Sequence, residues 1–275
     1  MSKIWNDEAK YQNWLRVEIA VCEAWYELGQ IPPEALVKIK ERAKFDVKRI
    51  DELEKTLKHD VIAFLTAVAE HVGEESRYIH LGLTSSDVLD TAFALQLRDA
   101  AEIVVDDVKK VIEVLKRLAF KHKYTPMVGR THGIHAEPTT LGLVFALWYD
   151  EMRRNLDRME RAREVISVGK ISGAVGTFAN VLPHVEERAC NILGLKPVRI
   201  STQIVQRDIH AEYFLTLSIV AATVEKIALQ VRHFQRTEVL ELEEPFLISV
   251  LFIWLTTAKI LYYYQMVNVY SSHNP

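Results

Sequence analysis

Residues 85–122 read SSDVLDTAFALQLRDAAEIVVDDVKKVIEVLKRLAFKH, and Val104, Val108, Val111, Leu115 and Leu118 recur in them at steps of 4, 3, 4 and 3. That spacing is the seam of a helix packed in a bundle. It predicts one long helix from Ser86-Asp87 to about His122, broken by Pro126. Two further rods follow. Leu141, Phe145, Trp148, Met152, Leu156 and Met159 mark one, expected to open at Pro138 and to end before Gly169. Tyr213, Leu217, Val220, Val224, Ile227, Val231 and Phe234 mark another, expected to start at about Asp208 and to run beyond Arg236. At ~1.5 Å of rise per residue, helices of this length make an elongated bundle of a kind that associates with copies of itself.

Ahead of the rods, residues 1–72 read as shorter helices. Trp14, Val17, Val21, Trp25 and Leu28 define an amphipathic helix from Asp7 that is closed by Gly29. Pro32-Pro33 suits a second start, Asp46 a third N-cap, and Asp60 to His71 a fourth helix before Gly73. The fold class expected is all-α. There is no alternating strand pattern, internal repeat or low-complexity linker, although Pro197 to Val205 reads as a short extended stretch. The division expected is residues 1–84, a helical N-terminal domain, 85–246, a long-helix bundle, and 247–275, an atypical tail.

Composition narrows the function. The formal charge of −3 over 275 residues excludes a generally basic nucleic-acid binder. Hydrophobic residues at 49% against 26% charged exclude disorder, and 10 Gly and 8 Pro leave few turns. Cys22 and Cys190 give no disulfide framework, and without an export leader the cytoplasm is expected. The tail stands apart, since Lys259 is its sole Lys, Arg, Asp or Glu.

Chemistry-bearing residues gather between the rods. Gly129-Arg130-Thr131-His132-Gly133-Ile134-His135-Ala136-Glu137-Pro138 reads as a loop with two imidazoles that titrate near neutrality. Metal binding is the weaker reading, because no third ligand of fixed geometry accompanies the pair. In Lys58-His59-Asp60 the carboxylate would fix the imidazole's tautomer, or else serve as a helix N-cap. His80-Leu81-Gly82-Leu83-Thr84-Ser85-Ser86-Asp87 brings hydroxyls and free N–H groups to a helix head, where anions bind, with capping by Ser86 or Asp87 as the plainer reading. Gly169-Lys170-Ile171-Ser172-Gly173-Ala174-Val175-Gly176 permits close backbone approach to a ligand and lacks the order of a P-loop. Ser201-Thr202-Gln203 and Arg207-Asp208 offer amide and hydroxyl partners at another helix head.

Taken together, KHDV, HLGLTSSDV, RTHGIHAEPTT, GKISGAVGTFAN, STQIVQRD and QRTEVLELEEPF resemble the adenylosuccinate lyase family, in order and in spacing, over roughly residues 4–246. The family belongs to the fumarase/aspartase superfamily, so the resemblance implies an L-aspartase-like long-helix bundle, here incomplete, and a homotetramer whose sites are shared between subunits. It implies a β-elimination that releases fumarate from adenylosuccinate, giving AMP, and from the succinylaminoimidazole carboxamide ribotide of purine biosynthesis. By the same resemblance His132 is the acid–base histidine, assisted or oriented by His59. Lys58, Asp60, His80, Thr84, Ser85 and Gln203 contact the substrate, and no metal or other cofactor is needed. The partner implied is a small purine nucleotide, with neither nucleic acid nor membrane.

The sequence departs from the family in two places. Met-Ser-Lys precedes Ile4-Trp5 where family members carry an Arg-Tyr pair that contacts substrate. After Glu-Glu-Pro-Phe246 the family has a mobile loop of the form GSSxMPxKxNP, which supplies the basic serine and a substrate-binding lysine, whereas this chain continues Leu247-Ile248-Ser249-Val250. A frameshift or truncation accounts for the change better than a membrane span does, because Lys259 and Thr256-Thr257 fall within residues 247–270. A chain without that loop is expected either to depend on a base from elsewhere or to act as a non-catalytic helical scaffold.

Overall fold

The computed structural model describes residues 1–243, so the readings made for residues 244–275, including the membrane and frameshift readings, lie outside the described residues. The four short helices form where the sequence places them. Helix α1, Asp7–Glu27, is capped by Asn6, whose Oδ1 accepts from the Ala9 N–H at 2.8 Å. It ends at Gly29, held at φ +73°, a region glycine enters without strain. Helix α2, Pro33–Arg42, opens on its proline, and α3, Val47–Leu57, is capped by Asp46, which accepts from the Arg49 N–H at 2.9 Å. Helix α4, Asp60–Val72, corrects one expectation: its N-cap is His59, and Asp60 is its first helical residue.

Three long helices follow as the stripes indicate: α5, Ser85–Lys121, α6, Leu141–Ile166, and α8, Asp208–Phe234. The segment between α5 and α6 is no loop. Strands β1, Pro126–Thr131, and β2, Ile134–Thr140, pair antiparallel, with Pro126 opposite Thr140 and Thr131 opposite Ile134. Pro138 therefore stands in a strand opposite Val128, and α6 opens three residues later, at Leu141. The two-residue turn is His132-Gly133, with φ of 56° and 76°, the paired positive values of a type I′ hairpin. Both faces of the hairpin are largely solvated, so there is no core to select alternate apolar residues.

Helix α7, Pro183–Leu193, and two short parallel strands, β3, Val168–Gly169, and β4, Lys196–Pro197, lie between α6 and α8. The extended stretch expected from Pro197 is thus confined to its first residue. Helix α8 also stops short of Arg236. The chain turns back through Val239 N–H to Arg236 C=O and Glu241 N–H to Phe234 C=O. That reversal buries Leu242 in the bundle core, a gain a straight extension of α8 would forgo.

Contacts divide the described residues into two compact units assembled from discontinuous stretches, Met1–Glu102 with Arg163–Ala211, and Ile103–Ala162 with residues 212–243. In the first, Trp14, Val17, Val21 and Trp25 of α1 pack with Phe64 and Val68 of α4 and Val185 and Leu193 of α7. Tyr11 stacks on Phe64 at 5.8 Å and Trp14 meets the same ring edge-on at 5.4 Å, each such pair adding about 0.5–1.5 kcal/mol beyond its buried area. In the second, Val108, Leu115 and Leu118 of α5, Phe145, Trp148 and Met152 of α6, and Val220, Ile227 and Val231 of α8 share one core. Trp148 is wholly buried, and its Nε1–H donates to Gln230 Oε1 at 2.6 Å. By length and composition α8 is apolar enough to cross a bilayer, and its buried stripe in the bundle accounts for part of that apolarity, the rest lying on exposed residues such as Leu215 and Ile219.

Candidate functional site

The first unit draws three distant sequence segments to the head of α5. Asp87 is buried in its first turn, where Oδ2 accepts from the Thr84 N–H at 2.9 Å. That is half of a capping box, as the plainer reading of the segment held. The same carboxylate does more. Its Oδ1 accepts from Lys170 Nζ at 2.5 Å and from the Ser172 N–H at 3.1 Å, and the Gly173 N–H donates to it as well. Lys170 is itself wholly buried and also donates to the Gly173 carbonyl at 2.7 Å. The Lys170 lysine of the glycine-rich segment is therefore spent inside the protein and is not offered to a ligand.

Neighbouring groups seal the same cluster. Thr91 Oγ1 accepts from the Lys170 N–H and donates to the Lys170 carbonyl, both at 3.0 Å. Glu186 Oε2 accepts from the Ile171 N–H at 2.7 Å, and burial raises that carboxyl above the ordinary range. Ser172 Oγ lies 2.9 Å from Ser201 Oγ, which joins the glycine-rich segment to the turn that carries Gln203. Gly176 is required there: at φ +77° a Cβ would stand 2.2 Å from the Ser201 carbonyl oxygen. Asp90 holds the next residues, accepting from the Val205 N–H at 2.7 Å and from Arg207 Nη2 at 2.9 Å. Gln203 itself is exposed.

His80 sits on the loop that enters α5, its ring largely covered. Glu18 of α1, 1% exposed, grips it twice: Oε2 accepts from the His80 N–H at 2.9 Å, and Oε1 lies 2.6 Å from Nδ1. Burial by itself lowers the imidazole pKa, but the hydrogen bond and charge of Glu18, with the charge of Asp87, outweigh it and raise the group above the ordinary histidine value. Thr84 and Ser85 follow at the helix head, both half-buried. Glu18 escaped the sequence reading. Its signal was there, a carboxylate four residues after Trp14 on the otherwise apolar face of α1.

Lys58, His59 and Asp60 form the junction of α3 and α4. Lys58 closes α3 in the left-handed region at φ 57°, its N–H donating to Glu54 C=O at 2.8 Å. His59 Nδ1 accepts from the Ile62 N–H at 3.4 Å, as the N-cap of α4. Asp60 Oδ1 lies 3.4 Å from the same nitrogen and accepts from the Val61 N–H at 2.8 Å. Both side chains are close to half exposed, free to meet a ligand.

In the second unit His132 occupies the tip of the exposed hairpin. Arg130, two residues earlier, pairs with Glu241 Oε2 at 2.7 Å, and Glu241 Oε1 accepts from the Val128 N–H at 3.4 Å. The chain after α8 thus braces β1 just before the histidine turn. Among the described residues, no three His, Cys, Asp or Glu side chains gather as a metal site requires.

Residues 1–249 match a family model described as lyase. The adenylosuccinate lyase of Aquifex aeolicus (strain VF5) is 56% identical over 249 residues, 90% of this chain and 57% of that protein. The adenylosuccinate lyase of Bacillus subtilis (strain 168) is 53% identical over 246 residues, with the same coverage. Among solved structures, a fumarate lyase from Mesorhizobium sp. BNC1 superposes with a TM-score of 0.84 at 29% identity, covering 89% of this chain and 59% of that one. The 3-carboxy-cis,cis-muconate lactonizing enzyme from Pseudomonas putida gives 0.83 at 30% identity, covering 89% and 58%. The chain spans little more than half the length of the relatives it matches.

Proposed function

Because this chain belongs to the lyase family, we propose that its site is of the adenylosuccinate lyase type, built to bind adenylosuccinate and the related succinylaminoimidazole carboxamide ribotide and to release fumarate from them. The reaction breaks a C–N bond. A base takes the proton from the succinyl Cβ, the electron pair is held as an aci-carboxylate, and an acid protonates the departing nitrogen. We assign the acid–base role to His132, with His59 assisting. Lys58, Asp60, His80, Thr84, Ser85 and Gln203 hold the substrate's phosphate, carboxylates and base.

One observation carries the reading: the HLGLTSSD, GKISGAVG and STQ segments meet at the head of α5, with an imidazole of raised pKa beside the helix N-terminus. A helix head flanked by an imidazole that holds its proton more tightly than an ordinary histidine suits a phosphate or carboxylate. Assembly as a homotetramer with shared sites is part of the proposal. Its support is the set of exposed apolar residues on α8, among them Phe214, Leu215 and Ile219, and the exposed position of His132 on its hairpin. A cytoplasmic setting fits two cysteines that are free and buried.

Titrating purified chain with adenylosuccinate, while following its absorbance, tests the proposal. Saturable binding is expected, and its absence overturns the reading. Fumarate release far above background excludes the scaffold alternative. Binding without release favours that alternative, in keeping with residues 247–275 holding no GSSxMPxKxNP sequence to supply the base.

A further inference from the structure

One face of α1 grips the loop that leads into α5. Glu18, Cys22 and Trp25 lie on that face at the i, i+4, i+7 spacing of neighbouring turns. Glu18 holds the His80 N–H and Nδ1, Cys22 Sγ reaches the Tyr78 carbonyl at 3.6 Å, and Trp25 Nε1–H donates to the Leu81 carbonyl at 3.1 Å. The loop needs such a grip, because His80 is held at φ +66°, a left-handed conformation that strains a non-glycine residue. Glu18 is almost fully buried, and both of its oxygens are spent on His80. A carboxylate buried to that degree is retained where a partner compensates its charge.

We propose that Glu18 is a positioning residue: its carboxylate holds His80 by backbone N–H and Nδ1, and so reserves the ring's Nε2 for an anionic group of the ligand. The ligand half of this rests on the adenylosuccinate reading above; the positioning half does not. Among the described residues Nε2 has no hydrogen-bond partner, and Glu18 and Asp87 are the charged groups that act on the ring. An Nδ1–H bound to carboxylate leaves Nε2 as an acceptor when the ring is neutral and as a charged donor when it is protonated.

Histidine-selective NMR on the full chain tests the positioning, with the His80 signal identified by its loss in His80→Asn. In the neutral ring the nitrogen shifts must report the proton on Nδ1; a proton on Nε2 overturns the proposal without any variant. Glu18→Gln should lower the His80 titration midpoint below that of the unsubstituted chain, and Glu18→Asp should restore part of it. An unchanged midpoint in a folded Glu18→Gln also overturns the proposal. Adenylosuccinate affinity near neutral pH should fall about tenfold in Glu18→Gln, as expected when a charge-assisted hydrogen bond is lost. If the tautomer and midpoint behave as stated while adenylosuccinate fails to bind, the positioning role holds and the substrate reading falls.

Discussion

Lys170 Nζ lies 2.5 Å from Asp87 Oδ1, and neither side chain is exposed to solvent. Removing one member leaves a buried charge without its counter-charge, which costs about 3–5 kcal/mol. Lys170→Met should therefore lower the free energy of unfolding by that order, read from urea titration of tryptophan fluorescence. The pair Lys170→Met with Asp87→Asn should recover part of the loss; a loss equal to the sum of the single changes would show that the two groups are not coupled.

Two glycines share a positive φ and differ in surroundings. Gly133 has open space where a Cβ would stand, whereas a Cβ on Gly176 meets the Ser201 carbonyl oxygen at 2.2 Å. Gly133→Ala should cost about 1 kcal/mol, the strain of the left-handed backbone alone. Gly176→Ala adds overpacking and should cost about 2–4 kcal/mol in total. Equal shifts in Tm for the two variants would contradict the tight packing of the glycine-rich segment on the Ser201 turn.

Acid should loosen the fold through two buried histidines. Burial lowers the pKa of His122 and His210 below the ordinary 6.5, helped by Lys121 and Arg207 respectively. Both rings keep buried nitrogens without partners. As pH falls, the unfolded chain takes up these protons first, so the stability they allow is complete above 6.5 and is lost as pH drops toward the folded values. Replacing both by Phe should flatten the fall in unfolding free energy as pH drops below the ordinary histidine value of 6.5. A slope unchanged from the original chain would assign acid sensitivity elsewhere.

His132 is predicted to be indispensable to any fumarate release. In an assay where the chain, alone or with a segment that supplies the missing base, turns over adenylosuccinate, His132→Ala should reduce kcat by at least about a hundredfold. Its folding should be untouched, since the side chain is exposed at a hairpin tip. Retention of most of kcat would remove it from the acid–base role.

How much of this was legible in the sequence follows from where each residue's partners lie. The stripes of α5, α6 and α8 announce themselves because each buries one face, and Phe145, Trp148 and Met152 are as buried as their spacing implies. The hairpin hid because neither face is buried, so the apolar alternation that marks a strand is absent, although His132-Gly133 carried the turn signal. The end of α8 was misplaced for a related reason: the reversal after Phe234 is set by Leu242 and Glu241 finding partners in the bundle and on β1, not by a local breaker. Of the site, the segments were visible and their joints were not. Nothing near Asp87 in the sequence points to Lys170, which stands 83 residues away.

Those separations bear on how the chain matures as it is made. Helices α1 to α5 leave the ribosome before Lys170 exists, so at that stage Asp87 has no cation to meet, and Asp90 waits longer still for Arg207, 117 residues downstream. A carboxylate in that position keeps its hydration, and the first turns of α5 stay open to water until the later segments arrive. The head of α5, where the proposed site lies, is thus among the last parts to close during synthesis, and a nascent chain stalled before residue 170 should expose it to chaperones and proteases.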